Sequence, residues 1–367
     1  MGDLVDGAIA AAPHVLVIGG TGAMGTHVCH EVVRALGAAA LVVGDHKPER
    51  GEAFARTFDP QVRTTMVDVH NRESVARALD QMHQGDAVII TVRQETALVQ
   101  ELCTLRGIHS VDIVPDTPLM HLEQGALCGV VAAGFIPGLS GLMAKAVVER
   151  ACSAGASMED LTVHVALLQR KHGTAGTAGI ADMLGLFAAP VVYEGKLVRG
   201  FTQTRIAPFP HPFGDKEVRL AAFPEAADVQ RRLGLAHAYY WTAFDDPRFN
   251  RIVSAANRVG ILQRFRKPGG GRGLASLIAR SKGTPSGVEE RAALTAEAHN
   301  AVLRLTVPSD YTGTAMAAVA MARELCARGA LDYGVVFPFE LFSLDQIVAR
   351  IDSPTLTQQE GERTLTL

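Results

Sequence analysis

The sequence is poor in the residues that staple small secreted folds or hold structural metals. Its five cysteines (Cys29, Cys103, Cys128, Cys152 and Cys326) are scattered, odd in number and never spaced CxxC. They read as reduced, mostly buried thiols of a cytoplasmic protein, not as a disulfide framework. The 13 histidines show no paired metal-ligand spacing, so no metal is expected. There is no charge excess: 35 Lys and Arg face 38 Asp and Glu, a formal charge of −3. That argues against a general polyanion-binding surface and so against a nucleic-acid partner. The opening residues MGDLVDGAIAAAP lack a basic region and a long apolar core, and no N-x-[ST] sequon occurs, so no secretory signal is expected. HExxH, GxSxG and GxxxxGK[ST] are all absent. Neither a zinc protease, an α/β-hydrolase elbow nor a P-loop is therefore signalled. Residues 124–144 form an uncharged run long enough to span a bilayer, but five glycines and Pro137 interrupt it. The change from β-branched residues to Leu, Met and Ala after Pro137 reads as a strand, a Pro-Gly turn and a helix start. No membrane partner is expected.

What remains is a packed globular chain of 367 residues, 48% hydrophobic and 20% charged. At roughly 150 residues per domain that suggests about two domains. The N-terminal third alternates short apolar runs with helical stretches. Residues 14–19 (HVLVIG), 40–44, 64–69, 86–92 (DAVIITV), 110–114 and 127–133 read as strands. Residues 26–36, 48–58, 72–82 and 96–106 read as helices. This βαβαβ order implies an α/β fold, a doubly wound parallel (Rossmann) sheet.

Gly20, Gly22 and Gly25 spell GxGxxG between the first strand and first helix. Gly20 allows a tight turn, Gly22 lets a pyrophosphate approach, and Gly25 lets the helix pack on the strand. The helix N-terminus offers amide N–H groups to the phosphates. Asp45 ends the second strand, 20 residues beyond Gly25. It would accept hydrogen bonds from ribose hydroxyls, which favours NAD, and repel the 2′-phosphate of NADP. His46, Lys47 and Arg50 follow, and a basic side chain there could bind that phosphate. Asp68 either contacts adenine or ends a strand and caps the next turn. The dinucleotide is thus expected along Gly20, Thr21, Gly22, Ala23, Met24 and Gly25, at Asp45, His46 and Lys47, and beside Asp68, Val69, Thr91 and Val92. None of the five tyrosines has Lys four residues on, so the Tyr-x-x-x-Lys pair of short-chain dehydrogenases is missing.

Several segments then agree, in order, with one known family. They are GxGxxG, VDV at 67–69, DAVIITV, AAGFIPGLSGLMAK at 132–145, KHGTAGTAGIAD at 171–182, PFPHPFGDKEV at 208–218 and GVVFPFE at 334–340. In these the sequence resembles the saccharopine dehydrogenase-like family of NAD(P)-dependent oxidoreductases. The resemblance covers residues 14–352 and implies an inserted second domain of mixed or antiparallel sheet with helices. The expected division is residues 1–144 for the dinucleotide domain, 145–308 for an inserted substrate and dimerisation domain, 309–352 for a return segment, and 353–367 for a flexible tail. Strands are expected at 161–169, 191–198, 218–223 and 238–244, and helices at 177–187, 311–328 and 346–350.

The resemblance further implies hydride transfer to or from a C–N bond, in an imine or secondary amine made from an amine and a keto acid or aldehyde. Candidate catalytic residues are Arg93, either binding a substrate carboxylate or forming a surface salt bridge; Asp116, either carrying a proton or a plain turn carboxylate; and Lys171 and His172, either carrying a proton or belonging to a basic loop before a helix capped by Thr177. Tyr311 at the start of the return helix is either near the cofactor or a packed aromatic. Two other readings stay open: a reductase of C=O or C=C bonds, and a catalytically inactive dinucleotide-binding sensor or scaffold. A homodimer is the default assembly. The basic, glycine-rich stretches at 264–273 and 280–287 are either phosphate-binding or solvated loops.

Overall fold

The structure, a computed structural model, describes residues 13–114, 127–169, 177–266, 291–351, 355–359 and 362–366. It falls into two compact units, with the chain crossing between them at Val131/Ala132, Ala320/Met321 and Val336/Phe337.

The first unit is built on the strands β1 (Val15–Ile18), β2 (Leu41–Asp45), β3 (Arg63–Met66), β4 (Ala87–Ile90), β5 (His109–Asp112) and β6 (Gly129–Val130). Helices α1 (Ala23–Leu36), α2 (Pro48–Ala55), α3 (Arg72–Leu79) and α4 (Leu98–Leu105) alternate with the first five. All the pairings are parallel, in the order β6-β5-β4-β1-β2-β3, and a seventh strand, Val335–Val336, adds beside β6. This is the expected doubly wound sheet. The run VLVI of β1 is apolar throughout because both faces are covered, and every one of its residues is buried. Leu16, Ile18, Val88 and Ile90 pack with Val75 and Leu79 of α3 and Val99 and Leu102 of α4. Asn71 caps α3, its side chain accepting the Ser74 N–H at 3.0 Å. Between β1 and β4 the strand order reverses, which opens a crevice at the carboxyl ends of these strands.

The second unit carries an eight-stranded mixed sheet. Its strands are β7 (Thr162–Gln169), β10 (Thr204–Pro208), β11 (Asp215–Leu220), β12 (His237–Phe244), β13 (Ala292–Ala298), β14 (Ala301–Val307), β16 (Thr355–Gln359) and β17 (Glu362–Thr366); β8 (Pro190–Tyr193) and β9 (Lys196–Arg199) form a separate pair, and the edge strand Val335–Val336 of the first unit is β15. Its helices include α5 (Leu139–Ser153), α6 (Thr177–Ala188), α7 (Glu225–Leu233) and α8 (Pro247–Arg258), while α9 (Asp310–Arg328) carries the chain back to the first unit. Short helices α10 (Pro338–Leu341) and α11 (Leu344–Ala349) pack on α5.

Three sequence expectations are corrected. Residues 191–198 are not one strand but the hairpin β8–β9, reversing where Glu194 and Gly195 both take positive φ (48° and 74°). Residues 353–367 are not a loose tail: β17 pairs in parallel with β14, and β16 closes a hairpin on it. Residues 132–144, 309–320 and 337–351 group with the second unit rather than with the parallel sheet. Contacts explain this for the first and last of these: the Gly138 N–H donates to Glu225 at 2.8 Å, Phe339 lies against Gly141, and Lys145 Nζ reaches the Phe342 carbonyl at 3.3 Å. Among the described residues no helix is long and apolar enough to cross a membrane.

Candidate functional site

The glycine turn is shaped by close packing at three of its positions. The N–H groups of Gly19 and Gly20 donate to the Gly44 carbonyl at 2.9 and 3.0 Å, which ties the end of β1 to β2. Gly19 has φ +82°, and a Cβ there would stand 2.4 Å from Val92 Cγ1. A Cβ on Gly25 would fall 2.0 Å from the Gly19 carbonyl oxygen, so only glycine lets α1 start this close to the turn. Gly22 differs. A Cβ there would meet one atom within contact range, the Gly19 oxygen at 3.1 Å, and otherwise open space.

Gly22 is also the N-cap of α1, in extended conformation and with no side-chain cap. The first amides of the helix, at Ala23, Met24 and Gly25, therefore have no intrahelical partner. A bare helix start with its partial positive charge, beside open space, fits a diphosphate.

Asp45 ends β2 with 4% of its surface exposed. Its Oδ1 accepts the Lys47 N–H at 2.9 Å and lies 3.3 Å from His46 Nδ1; its Oδ2 accepts the Thr21 hydroxyl. Burial alone would raise this carboxyl's pKa, but the Thr21 and Lys47 hydrogen bonds and the Arg50 and His46 charges together hold it below the ordinary value. Arg50 Nη2 donates to Thr21 Oγ1 at 2.7 Å. Thr91 closes the other side, its hydroxyl donating to the Ile18 carbonyl at 2.9 Å.

A cavity of about 360 Å³ opens at these strand ends and gathers His46, Asp68, Val69, Val92 and Arg93 on its wall with Gly19. Asp68 plays its turn role there, since its Oδ1 accepts the His70 N–H at 3.0 Å, and it faces the cavity as well. Arg93 is exposed and shares this wall with His46 and His70. Tyr311 belongs to the second unit, where its N–H donates to Asp310 Oδ1 at 2.9 Å. Asp116, Lys171 and His172 lie outside the described residues, as do residues 267–290 of the basic loops.

Two buried carboxylates escaped sequence reasoning. Asp112, the last residue of β5, is 0% exposed and accepts from Gln94 Nε2 (3.0 Å), Gln100 Nε2 (3.1 Å) and the Val114 N–H (2.8 Å). It thereby ties the Val92–Glu95 loop to β5. In the second unit, Glu225 accepts from the Gly138 N–H and the Ser140 hydroxyl, pinning the Gly134–Leu139 turn. Burial raises its pKa, against the lowering effect of those hydrogen bonds. Among the described residues no three His, Cys, Asp or Glu side chains are grouped to hold a metal ion.

Residues 15–127 match the family model of the saccharopine dehydrogenase NADP-binding domain. That match lies within the first unit and covers less than half of the chain. Two solved structures share the fold with this chain. Apo saccharopine dehydrogenase (L-Glu forming) from Saccharomyces cerevisiae is 13% identical, with a TM-score of 0.61 over 92% of this chain and 96% of its own. Homospermidine synthase from Legionella pneumophila, in complex with NAD, is 9% identical, with a TM-score of 0.59 over 93% of this chain and 89% of its own. At such identities the likeness is one of fold. No curated protein matches the sequence. The first unit is thus similar to an NADP-binding domain over residues 15–127, and its glycine turn, bare α1 start and Asp45 offer the chemistry such a nucleotide needs.

Proposed function

We propose that the protein is an NAD(P)-dependent oxidoreductase acting on a C–N bond, an imine or secondary amine formed from an amine and a keto acid or aldehyde. The uncapped start of α1 against the Gly22 turn, within a saccharopine dehydrogenase-like domain, carries this reading. Gly20 to Gly25 and the first α1 amides would hold the pyrophosphate. Asp45 would accept the adenosine ribose hydroxyls, which slightly favours NAD. His46, Lys47, Asp68, Val69, Thr91 and Val92 would line the nucleotide. The bound nicotinamide supplies the hydride chemistry; the protein supplies orientation and electrostatics. Arg93 is proposed for a substrate carboxylate, and Asp116, Lys171 and His172 for the proton, with Tyr311 as a further candidate. The second unit is proposed for substrate binding and for pairing with a second copy, in the cytoplasm.

The test titrates NADH and NADPH by calorimetry, then follows NAD(P)H consumption over a panel of amine and carbonyl pairs. Binding of at least one nucleotide at sub-millimolar level is expected, with Gly22→Val abolishing it by filling the space of the pyrophosphate. Unchanged affinity in Gly22→Val refutes the assigned turn. Turnover of carbonyls or C=C bonds without amine favours a different reductase, and binding without any turnover favours a sensor or scaffold.

A further inference from the structure

The Asp45 carboxylate carries an arrangement that ribose binding does not require. Three side chains are linked here from three places: Asp45 from the end of β2, Thr21 from the glycine turn and Arg50 from α2. The Thr21 hydroxyl donates to Asp45 Oδ2 and accepts from Arg50 Nη2 at 2.7 Å, while the same Nη2 lies 3.4 Å from the Thr21 carbonyl oxygen. One hydroxyl therefore stands between the carboxylate and the guanidinium. Asp45 is buried and Arg50 is exposed, so the cation forms the solvent side of the chain of contacts.

We propose that Thr21 sets the choice between NAD and NADP, by occupying one oxygen of Asp45 and anchoring Arg50 at the same rim, so that the domain accepts a 2′-phosphate as well as a ribose hydroxyl. The inference rests on the nucleotide site proposed above. A bare carboxylate at this position accepts ribose hydroxyls and repels a 2′-phosphate. Here Oδ2 already accepts a protein hydroxyl, so a ribose hydroxyl competes for it. The Arg50 charge stands one hydroxyl away and offsets the repulsion. Thr21 engages Nη2 of Arg50, and the planar fork has further N–H donors for a phosphate. His46 Nδ1, 3.3 Å from Oδ1, adds a second basic group to the rim.

The experiment compares ADP-ribose with its 2′-phosphorylated form by calorimetry, on the full chain and on Thr21→Val and Arg50→Gln. Thr21→Val keeps the side-chain shape and removes the hydroxyl; Arg50 is exposed, so Arg50→Gln leaves the fold intact. Both substitutions are expected to weaken the 2′-phosphorylated ligand relative to ADP-ribose by about tenfold, the scale of one charge-assisted contact. Thr21→Val is expected to bind ADP-ribose as well as or better than the unaltered chain, because Asp45 Oδ2 is released. An affinity ratio within about twofold of the unaltered chain in both variants overturns the inference and leaves the nucleotide site standing. If the unaltered chain binds neither ligand, the site itself falls, and this inference with it.

Discussion

His109 is fully buried in the first unit, its Nδ1 bonded to the Tyr333 hydroxyl at 2.8 Å and its ring stacked on that of Tyr333. Burial, with the Arg328 charge adding and Asp332 opposing, pushes its pKa from 6.5 down to about 4. The unfolded chain takes up this proton near pH 6.5 and the folded chain only near 4. Stability is therefore lost as the pH falls through that window, by at most about 3 kcal/mol at one unit per 1.36 kcal/mol. Urea unfolding at neutral and at acid pH should show His109→Gln losing less stability on acidification than the unaltered chain. An equal loss would place the sensitivity elsewhere. The residues that were legible in the sequence are those whose role is local: Gly20, Gly22 and Gly25 sit within one turn, and Asp45 stands at a fixed distance beyond it. Asp112 and its two glutamines were not legible. Their meeting depends on β5, the β4 loop and α4 arriving together, and no spacing encodes that.

Among the elements, the Gly134–Leu139 turn is the clearest case of local sequence held by a distant charge. Gly138 has φ +127°, and its N–H points to Glu225 across 2.8 Å. Replacing Glu225 with Ala leaves that N–H and the Ser140 hydroxyl buried without their acceptor. A loss of about 3 kcal/mol in urea unfolding is expected, with Glu225→Gln recovering part of it through the remaining carbonyl oxygen. A change below about 0.5 kcal/mol for Glu225→Ala would show that the turn stands without the carboxylate. The strands β1, β2 and β4 of the parallel sheet were readable because their short runs are largely apolar and buried on both faces. The hairpin β8–β9 and the strands β16 and β17 were not. Val191–Val198 alternates as one strand would, and only the positive φ of Glu194 and Gly195 turns it. TLTQQ and ERTLT are polar enough to pass for a tail until β14 offers ERTLT a partner and ERTLT in turn pairs with TLTQQ.

For the whole molecule, the expected pattern is one nucleotide site confined to the first unit. Nucleotide at a hundred times its Kd stabilises the binding unit by about 2.7 kcal/mol. Hydrogen exchange should therefore slow at β1, the start of α1 and the end of β2 when NADH is added. Protection confined to the second unit would contradict the assignment. The order of the chain also bears on how the protein is made. The outer strand of the nucleotide sheet, Val335–Val336, lies beside Gly129–Val130, a partner roughly 200 residues earlier. A ribosome makes residues 132–320 of the second unit before it delivers this edge. Until then the β6 edge is unpaired, and the first unit emerges with a sheet that any other exposed strand can join.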